Sequence, residues 1–221
     1  ETPKDVDSYI LSIEDTGYFN QRFQTKEDNK KLYQYKIIEK ANNFKRQQKD
    51  LNTFFTKLSM KMKISKINEI NFERSVQMIN KTNQFNLTTK RYNPIELKKF
   101  LSKKNQISLI AKLKDKFGDH GLTALVMAKQ KEGSKNTFVL DNFLLSCRIL
   151  GRNAENVLLN ELLMKLKKKK VVSLEAYYNK TNKNEICKNF LSENKFLKIK
   201  NKYIFNLNEY NHKPDKYIKV I

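Results

Sequence analysis

The stretch from residue 138 to residue 169 constrains the fold of this chain most. An apolar run over 138–145 is followed by a short polar turn that contains Gly151, and a helical pattern then extends over 155–169. A strand that passes through such a turn into a helix directs two features at one spot: the free N–H groups of the first helical turn and the positive end of the helix dipole. The sequence therefore predicts an anion-binding loop over 146–154.

The segments around this unit predict a mixed, twisted sheet flanked by helices, which belongs to the α/β (α+β) class. The helix over 154–169 is expected to cross between two parallel strands, as in a βαβ unit. Gly118, Asp119, His120 and Gly121 are expected to form a hairpin turn. Periodicity and capping signals predict strands at 60–64, 107–113, 122–129, 137–145, 171–176, 196–200 and 203–207, and further helices at 69–80, 94–100 and 182–194.

The residues before this sheet have a different character. They lack the apolar residues to close a core alone, and Asp50 is expected to cap the last of their helices. We therefore expect a helical extension over 1–59 and a folded domain over 60–221. Helical spacing predicts segments at 6–13, 26–48 and 51–58.

The net charge of +22 raises the question of nucleic-acid binding. Of the 45 Lys and Arg residues only six are arginines, whereas proteins that read nucleic acids favour arginine forks with interleaved aromatics. Lys, Asn and Ile share A/T-rich codons, so genome composition accounts for much of the charge. A nucleic-acid-binding protein is kept as a weaker alternative, because a basic surface also suits an acidic protein or a phosphate-bearing ligand.

The sequence also bears on location and metal chemistry. No apolar run reaches the roughly 20 residues of a membrane span, and the acidic, polar start of the chain does not resemble a signal peptide. Cys147 and Cys187 give no disulfide framework, and the two Cys and two His are dispersed without ligand spacing. We expect a cytoplasmic protein that neither enters a membrane nor binds a metal.

Four segments carry a family resemblance. Arg148-x-x-Gly151 resembles the Gln/Arg-x-x-Gly-x-Gly/Ala loop with which GNAT acyltransferases bind the coenzyme A pyrophosphate. Residues 80–92, Asn-Lys-Thr-Asn-Gln-Phe-Asn-Leu-Thr-Thr-Lys-Arg-Tyr, resemble the hallmark segment of the FkbH-like family. The chain is thus similar to FkbH-like proteins (HAD-superfamily subfamily IIIC) over their C-terminal GNAT-like domain and the helical linker before it. Further segments that resemble this family, in the same order, are 114–121, 143–152 and 181–184.

The resemblance implies a GNAT-like acyl-CoA N-acyltransferase fold and the transfer of a small acyl group, such as glyceryl, in polyketide-extender or surface-polysaccharide biosynthesis. It implies coenzyme A or the phosphopantetheine of an acyl carrier protein as the cofactor. The implied partners are that carrier protein, a small acyl donor or acceptor and an upstream HAD-like domain. Asp5-Val6-Asp7-Ser8 matches the HAD motif D-x-D-x-T/V only superficially, so no phosphatase activity is expected here. The cofactor-binding residues implied are Leu145, Ser146, Cys147, Arg148, Ile149, Leu150, Gly151, Arg152, Asn153, Ala154 and Asn184.

Three positions depart from the GNAT pattern. Asn153 stands where the loop usually has Gly or Ala; Asn tolerates left-handed backbone, but its side chain would crowd a pyrophosphate more than the single phosphate of a carrier protein. Leu191 stands where many GNAT enzymes place a Tyr acid, and Lys195 stands where they have Gly. These departures keep open a second hypothesis, a non-catalytic module that docks an acyl carrier protein for the HAD domain.

Four residues are candidates for the chemistry, and each has a structural alternative. Cys147 lies where the helix N-terminus and Arg148 would stabilise a thiolate that carries an acyl group; otherwise it is a small buried strand residue. His120 is a candidate general base or a solvated turn residue. Tyr177 and Tyr178 follow a strand at the expected cleft, where either could supply the missing acid or pack in the core.

The polar residues between 80 and 89 suit recognition of a hydroxylated acyl group, because their amides and hydroxyls are poor material for a core. An Asn/Thr turn that joins two helices is the alternative. At the end of the strand over 137–145, main-chain N–H groups are expected to polarise the thioester carbonyl, as in the GNAT fold generally. The expected substrate-binding residues are Asn80, Thr82, Asn83, Gln84, Phe85, Asn86, Thr88 and Thr89.

Overall fold

The structure is a computed structural model that describes residues 26–221. The chain divides into two compact units, residues 1–40 and residues 41–221, and all that follows concerns the second. The boundary lies inside helix α1 (Lys26–Arg46). The helix expected over 6–13 and the Asp5–Ser8 string lie outside the described residues.

Helix α2 (Leu51–Leu58) belongs to the larger unit. Asp50 caps it as expected, accepting a hydrogen bond from the Thr53 N–H at 2.9 Å. Phe54 and Leu58 are buried in the core of this unit. The folded body therefore extends before residue 60, and the origin of the preceding residues in an upstream HAD-like domain stays a prediction.

The described residues form one mixed sheet of nine strands. Eight lie in the order β7-β8-β6-β5-β4-β3-β1-β9, and β2 pairs with β5. Most neighbours are antiparallel, but β5–β6 and β1–β9 are parallel. The mixed sheet that the sequence predicts is confirmed. The strands are β1 (Met60–Lys66), β2 (Phe85–Asn86), β3 (Gln106–Asp115), β4 (Gly118–Gln130), β5 (Thr137–Leu145), β6 (Ser173–Ala176), β7 (Leu197–Ile199), β8 (Lys202–Asn206) and β9 (Ile218–Val220).

Helices cover both faces of this sheet. Helices α3 (Glu69–Lys81) and α4 (Pro94–Leu101) pack on one face, where they form a core with the β4 residue Leu125. Helices α2 and α5 (Ala154–Lys168) pack on the other, together with the next β4 residue, Val126. Since successive strand residues face opposite sides, the two cores make a three-layer domain. Helix α5 is the crossover between the parallel strands β5 and β6, as predicted.

The structure corrects two local predictions. The hairpin turn between β3 and β4 is formed by Lys116 and Phe117, and residues 118–121 already belong to β4. The helix expected over 182–194 is instead a short 3-10 turn (Glu185–Cys187) followed by the four-residue helix α6 (Phe190–Glu193).

Candidate functional site

The 146–154 loop joins the end of β5 to the start of α5. A 3-10 turn (Cys147–Ile149) follows the strand, and the chain then passes through two left-handed residues, Gly151 (φ 71°) and Asn153 (φ 65°). Asn at the second position is compatible with that backbone. Helix α5 has no side-chain cap, and within residues 26–221 the N–H group of the exposed Gly151 donates no hydrogen bond. The loop therefore offers one open donor to an anion beside the helix N-terminus.

Carboxyl groups lie near the N-terminus of helix α5. The Asn153 amide donates to an Asp215 carboxylate oxygen at 2.5 Å, which places that acid beside the helix N-terminus. Burial raises the pKa of Glu155 in the first turn, and the charges of Asp215 and Glu193 raise it further. Two carboxyl groups at this helix end would repel the larger negative charge of a pyrophosphate more strongly than that of a single phosphate. A separate cavity of about 780 Å³ lies beside Asp215 and contains none of the predicted site residues.

A cavity of about 370 Å³ lies beside the loop. We call this cavity the thiol pocket. It brings the first part of the polar 80–89 segment together with the first part of the loop. The Cys147 side chain is exposed there, so the alternative of a small buried strand residue is wrong for this cysteine. The pocket is lined by Arg74, Gln77, Met78, Lys81, Thr82, Asn83, Gln84, Leu145, Ser146 and Cys147.

The electrostatic character of the thiol pocket is basic. Arg148, next to the thiol, is half-buried, and it donates to the Ser146 hydroxyl at 3.0 Å and to the Leu122 carbonyl at 3.2 Å. Burial and then the nearby charge of Arg74 lower the pKa of the Arg148 guanidinium. None of the described residues that line the pocket is acidic. The pocket is thus suited to an anionic group or a thiolate.

A buried ionic cluster fixes the loop to the β3–β4 hairpin. The Arg152 guanidinium and the His120 ring both hydrogen-bond one carboxylate oxygen of Asp115, the ring at 2.8 Å. The other Asp115 oxygen accepts the N–H groups of Phe117 (2.9 Å) and Gly118 (3.2 Å). Burial alone would raise the Asp115 pKa, but the His120 hydrogen bond and the Arg152 charge outweigh it and lower that pKa.

This cluster corrects two site predictions. His120 is fully buried, so it is neither a solvated turn residue nor within reach of a substrate as a general base. The Arg152 side chain is also buried, and it bonds Asp115 instead of pointing to a ligand. The loop residues Ile149 and Ala154 are fully buried too, so direct contact of either residue with a ligand is not supported.

Strand β2 covers part of the edge of β5. Phe85 and Asn86 pair with Leu145 and Leu144, and the Leu87 N–H donates to the Phe143 carbonyl at 3.1 Å. This edge lies on the β6 side, because β5 pairs with β6 only at its start, over Thr137–Val139. The main-chain groups at this end of β5 are therefore covered by β2. This corrects the expectation that N–H groups there polarise the carbonyl of a bound thioester.

Several expected ligand residues are used inside the protein. The buried Asn184 amide donates to the carbonyls of Asn86 and Asn179, both at 2.9 Å, and accepts the Thr181 N–H at 2.8 Å. The prediction that Asn184 contacts the cofactor directly is therefore wrong. Phe85 and Asn86 are buried as well, and the Thr88 hydroxyl donates to the Asp141 carbonyl at 2.9 Å. None of these four residues lines the thiol pocket.

Two more substrate candidates, Asn80 and Thr89, also lie outside the thiol pocket. The Asn80 amide donates to the Tyr92 carbonyl at 2.7 Å, which ties the end of α3 to the segment before α4. Thr89 lines a separate polar cavity of about 440 Å³ that also includes Asn83. Asn83 therefore borders both cavities, and the substrate role stays a prediction for Thr82, Asn83, Gln84 and Thr89.

The two candidate tyrosines lie outside the thiol pocket. The Tyr178 hydroxyl is 3.3 Å from the carbonyl of the buried Asn184, and burial raises its pKa. Tyr177 directly follows β6 and does not line the thiol pocket. An acid role for either residue has no support from its position. Cys187 is likewise buried, and burial raises the pKa of its thiol to about 11.

Sequence reasoning missed the anchor of the polar segment. The Tyr92 hydroxyl donates to one Asp141 carboxylate oxygen at 2.5 Å, and the Lys90 ammonium bonds the other at 2.7 Å. Burial and the Asp141 hydrogen bond raise the Tyr92 pKa. Asp141 occupies a register shift of β5 opposite Met127 and Ala128, which turns its side chain toward this segment. The polar pair Asp141-Asn142 in the middle of an apolar run was the available signal.

Comparison with known proteins places this geometry in a fold class. No family model and no curated protein sequence matches the chain. A protein from Desulfovibrio desulfuricans assigned to the GNAT family of acetyltransferases superposes with a TM-score of 0.53 at 11% identity, over 66% of this chain and 99% of that one. A domain from Methanocaldococcus jannaschii gives 0.51 at 16% identity, over 66% and 99%. An N-acetyltransferase from Staphylococcus aureus gives 0.50 at 13% identity, over 66% and 98%.

The chain has the GNAT acetyltransferase fold, as the sequence predicts. Identities this low define the fold alone. Among the described residues, no helix is both long and apolar enough to cross a membrane. The same residues contain no group of three or more His, Cys, Asp or Glu arranged to hold a metal ion.

Proposed function

We propose that residues 41–221 form an acyltransferase domain that receives a small acyl group from a phosphopantetheine thioester. One observation carries the proposal. The exposed Cys147 thiol lies in a basic pocket at the start of a loop in which the exposed Gly151 N–H donates no hydrogen bond. A thiol beside positive charge can act as a nucleophile toward a thioester, and the adjacent loop offers a site for the phosphate of the pantetheine donor.

In the proposed reaction, the Cys147 thiolate attacks the acyl carbonyl of the donor. A bond forms between Sγ and the acyl carbon, the bond to the pantetheine sulfur breaks, and the departing thiolate takes up the proton that Cys147 gave to water. A second thiol or an amine then removes the acyl group from Cys147. Because β2 occupies the β5 edge, the donor approaches through the thiol pocket, where Arg74 and Lys81 supply positive charge.

The polar side chains beside the thiol favour a hydroxylated acyl group such as glyceryl. Thr82, Asn83 and Gln84 line the same pocket as Cys147 and present a hydroxyl and two amides. Asn153 and the acids at the start of α5 favour a carrier protein over coenzyme A, since the carrier brings one phosphate to this site. The expected partners remain an acyl carrier protein and an upstream HAD-like domain.

Mass spectrometry of the intact protein tests the covalent step. Incubation with acetyl-CoA or a glyceryl-loaded acyl carrier protein should add one acyl group, and Cys147→Ser should abolish the adduct and the turnover. Cys187→Ser is the matched control, because the buried, weakly acidic Cys187 thiol should not react. Full turnover by Cys147→Ser would refute the covalent route.

A second candidate, a non-catalytic carrier-docking module, is favoured by a different observation. Strand β2 covers the β5 edge, and none of the described residues that line the thiol pocket is a carboxylate, histidine or tyrosine that could act as acid or base. This module would bind the carrier protein saturably, with no acyl adduct and no turnover. The same incubation, followed by a titration with carrier protein, separates the two functions.

A further inference from the structure

A second basic cavity, the lysine pocket, lies at the opposite end of α5 from the loop. Its volume is about 370 Å³. Helix α5 has 15 residues, so its two ends are roughly 20 Å apart. Five lysines from three parts of the chain line it: Lys66 at the end of β1, Lys104 before β3, and Lys165, Lys168 and Lys169 at the end of α5.

The charge of this pocket is not compensated by acids. None of its lining residues in the described part of the chain is acidic, and none of the five lysines forms an ion pair there. Other lysines do find acids: Lys131 and Lys202 both pair with Glu175. The helix dipole favours cations at the end of α5, but it does not explain Lys66 and Lys104, which come from other elements. Convergence of cations from separate segments is typical of an anion-binding site.

One polar atom without a partner lies beside these lysines. The Gln106 amide donates to the Leu101 carbonyl at 3.1 Å, while its oxygen is buried and accepts no hydrogen bond within residues 26–221. Buried polar groups are ordinarily paired, so a ligand that carries a hydroxyl group beside its charged oxygens would give the Gln106 oxygen its missing donor.

We propose that the lysine pocket binds a compact, multiply charged ligand with two or more phosphate groups. The concave shape fits a small molecule, and the ammonium groups of several lysines can bond phosphate oxygens. Neither arginine nor an aromatic ring lines the pocket, in contrast to the stacking surfaces that bind single-stranded nucleic acid. The site is separate from the thiol pocket, so it does not depend on the acyltransferase proposal.

Calorimetric titration with inorganic tripolyphosphate at fixed ionic strength tests this site. We expect one saturable site per chain and a melting temperature that rises with ligand concentration, since the ligand binds the folded state. The double variant Lys66→Ala/Lys104→Ala should lower the affinity at least tenfold and remove the rise. Both side chains are exposed, so the variant should fold. Lys99→Ala/Lys188→Ala, which removes two exposed lysines elsewhere, is the matched control.

Three results would overturn the proposal. The first is unsaturable or multi-site binding, which indicates a diffuse basic surface. The second is binding that Arg148→Ala abolishes and Lys66→Ala/Lys104→Ala does not, which assigns the ligand to the loop. The third is tight binding of a DNA or RNA oligonucleotide, or of an acidic peptide, without binding of tripolyphosphate, which makes the site a macromolecular interface.

Discussion

The two ends of α5 are both basic, but they hold their charge differently. At the N-terminal end, Arg152 is buried and bonded to Asp115, and Arg148 is half-buried and bonded to Ser146 and Leu122. At the C-terminal end, Lys165, Lys168 and Lys169 lie around a cavity without carboxylate partners among the described residues. The comparison separates charge that fixes the backbone of a site from charge that remains accessible to a ligand.

The largest effect on stability is expected at the N-terminal end of α5, where Arg152 is buried. Arg152→Ala leaves the Asp115 carboxylate buried with His120 as its only side-chain partner, so the free energy of unfolding should fall by about 3–5 kcal/mol. Urea denaturation followed by circular dichroism measures this. Lys168→Ala removes one charge from the accessible end and is the control. A loss below about 1 kcal/mol for Arg152→Ala would erase the distinction between the two ends.

The pH dependence of stability tests the same cluster. Because folding lowers the Asp115 pKa, this carboxylate stabilises the protein above its unfolded pKa of about 3.9. That contribution is lost as the pH falls through the lower, folded pKa. Asp115→Asn should therefore flatten the stability profile below pH 4 and reduce stability at pH 7. Asp119→Asn, at a partly exposed acid of the same hairpin whose pKa is also lowered, should change the profile less.

These residues also show where the sequence sufficed. The pattern from β5 through Gly151 into α5 is local: an apolar run, a turn residue and a helical period follow one another, so the unit was predicted correctly. Asp50 and Pro94 were predicted for the same reason, because a cap and a first-turn proline act on adjacent backbone.

Features that depend on distant partners were not predictable in this way. The two-residue strand β2 exists through its pairing with β5, almost 60 residues later, and β9 through its parallel pairing with β1. His120 lies in a polar sequence, and nothing local shows that Arg152 and Asp115 enclose it. Arg152 was assigned to a ligand because its place in a phosphate loop is visible, whereas its carboxylate partner is not.

A smaller effect is expected at Arg148, which is fixed less completely than Arg152. Arg148→Ala removes the hydrogen bonds to the Ser146 hydroxyl and the Leu122 carbonyl and should cost about 1–2 kcal/mol of stability. It should also weaken carrier-protein binding, since it removes charge beside the thiol pocket. Titration with the carrier protein measures this, and normal affinity would assign Arg148 a structural role only.

The smallest effect on stability is expected at the accessible end. In Lys168→Ala/Lys169→Ala, the lost attraction to the helix dipole and the relieved repulsion among the lysines oppose each other, so the net change should stay within about 0.5 kcal/mol. Both interactions act at the exposed surface, where salt screens them. Any change in stability should therefore shrink as salt is raised from 0.05 to 0.5 M, because the screening length becomes shorter. Urea denaturation at the two salt concentrations measures it. A large, salt-independent loss would mean that these lysines are packed into the structure, and the two ends of α5 would then hold their charge alike.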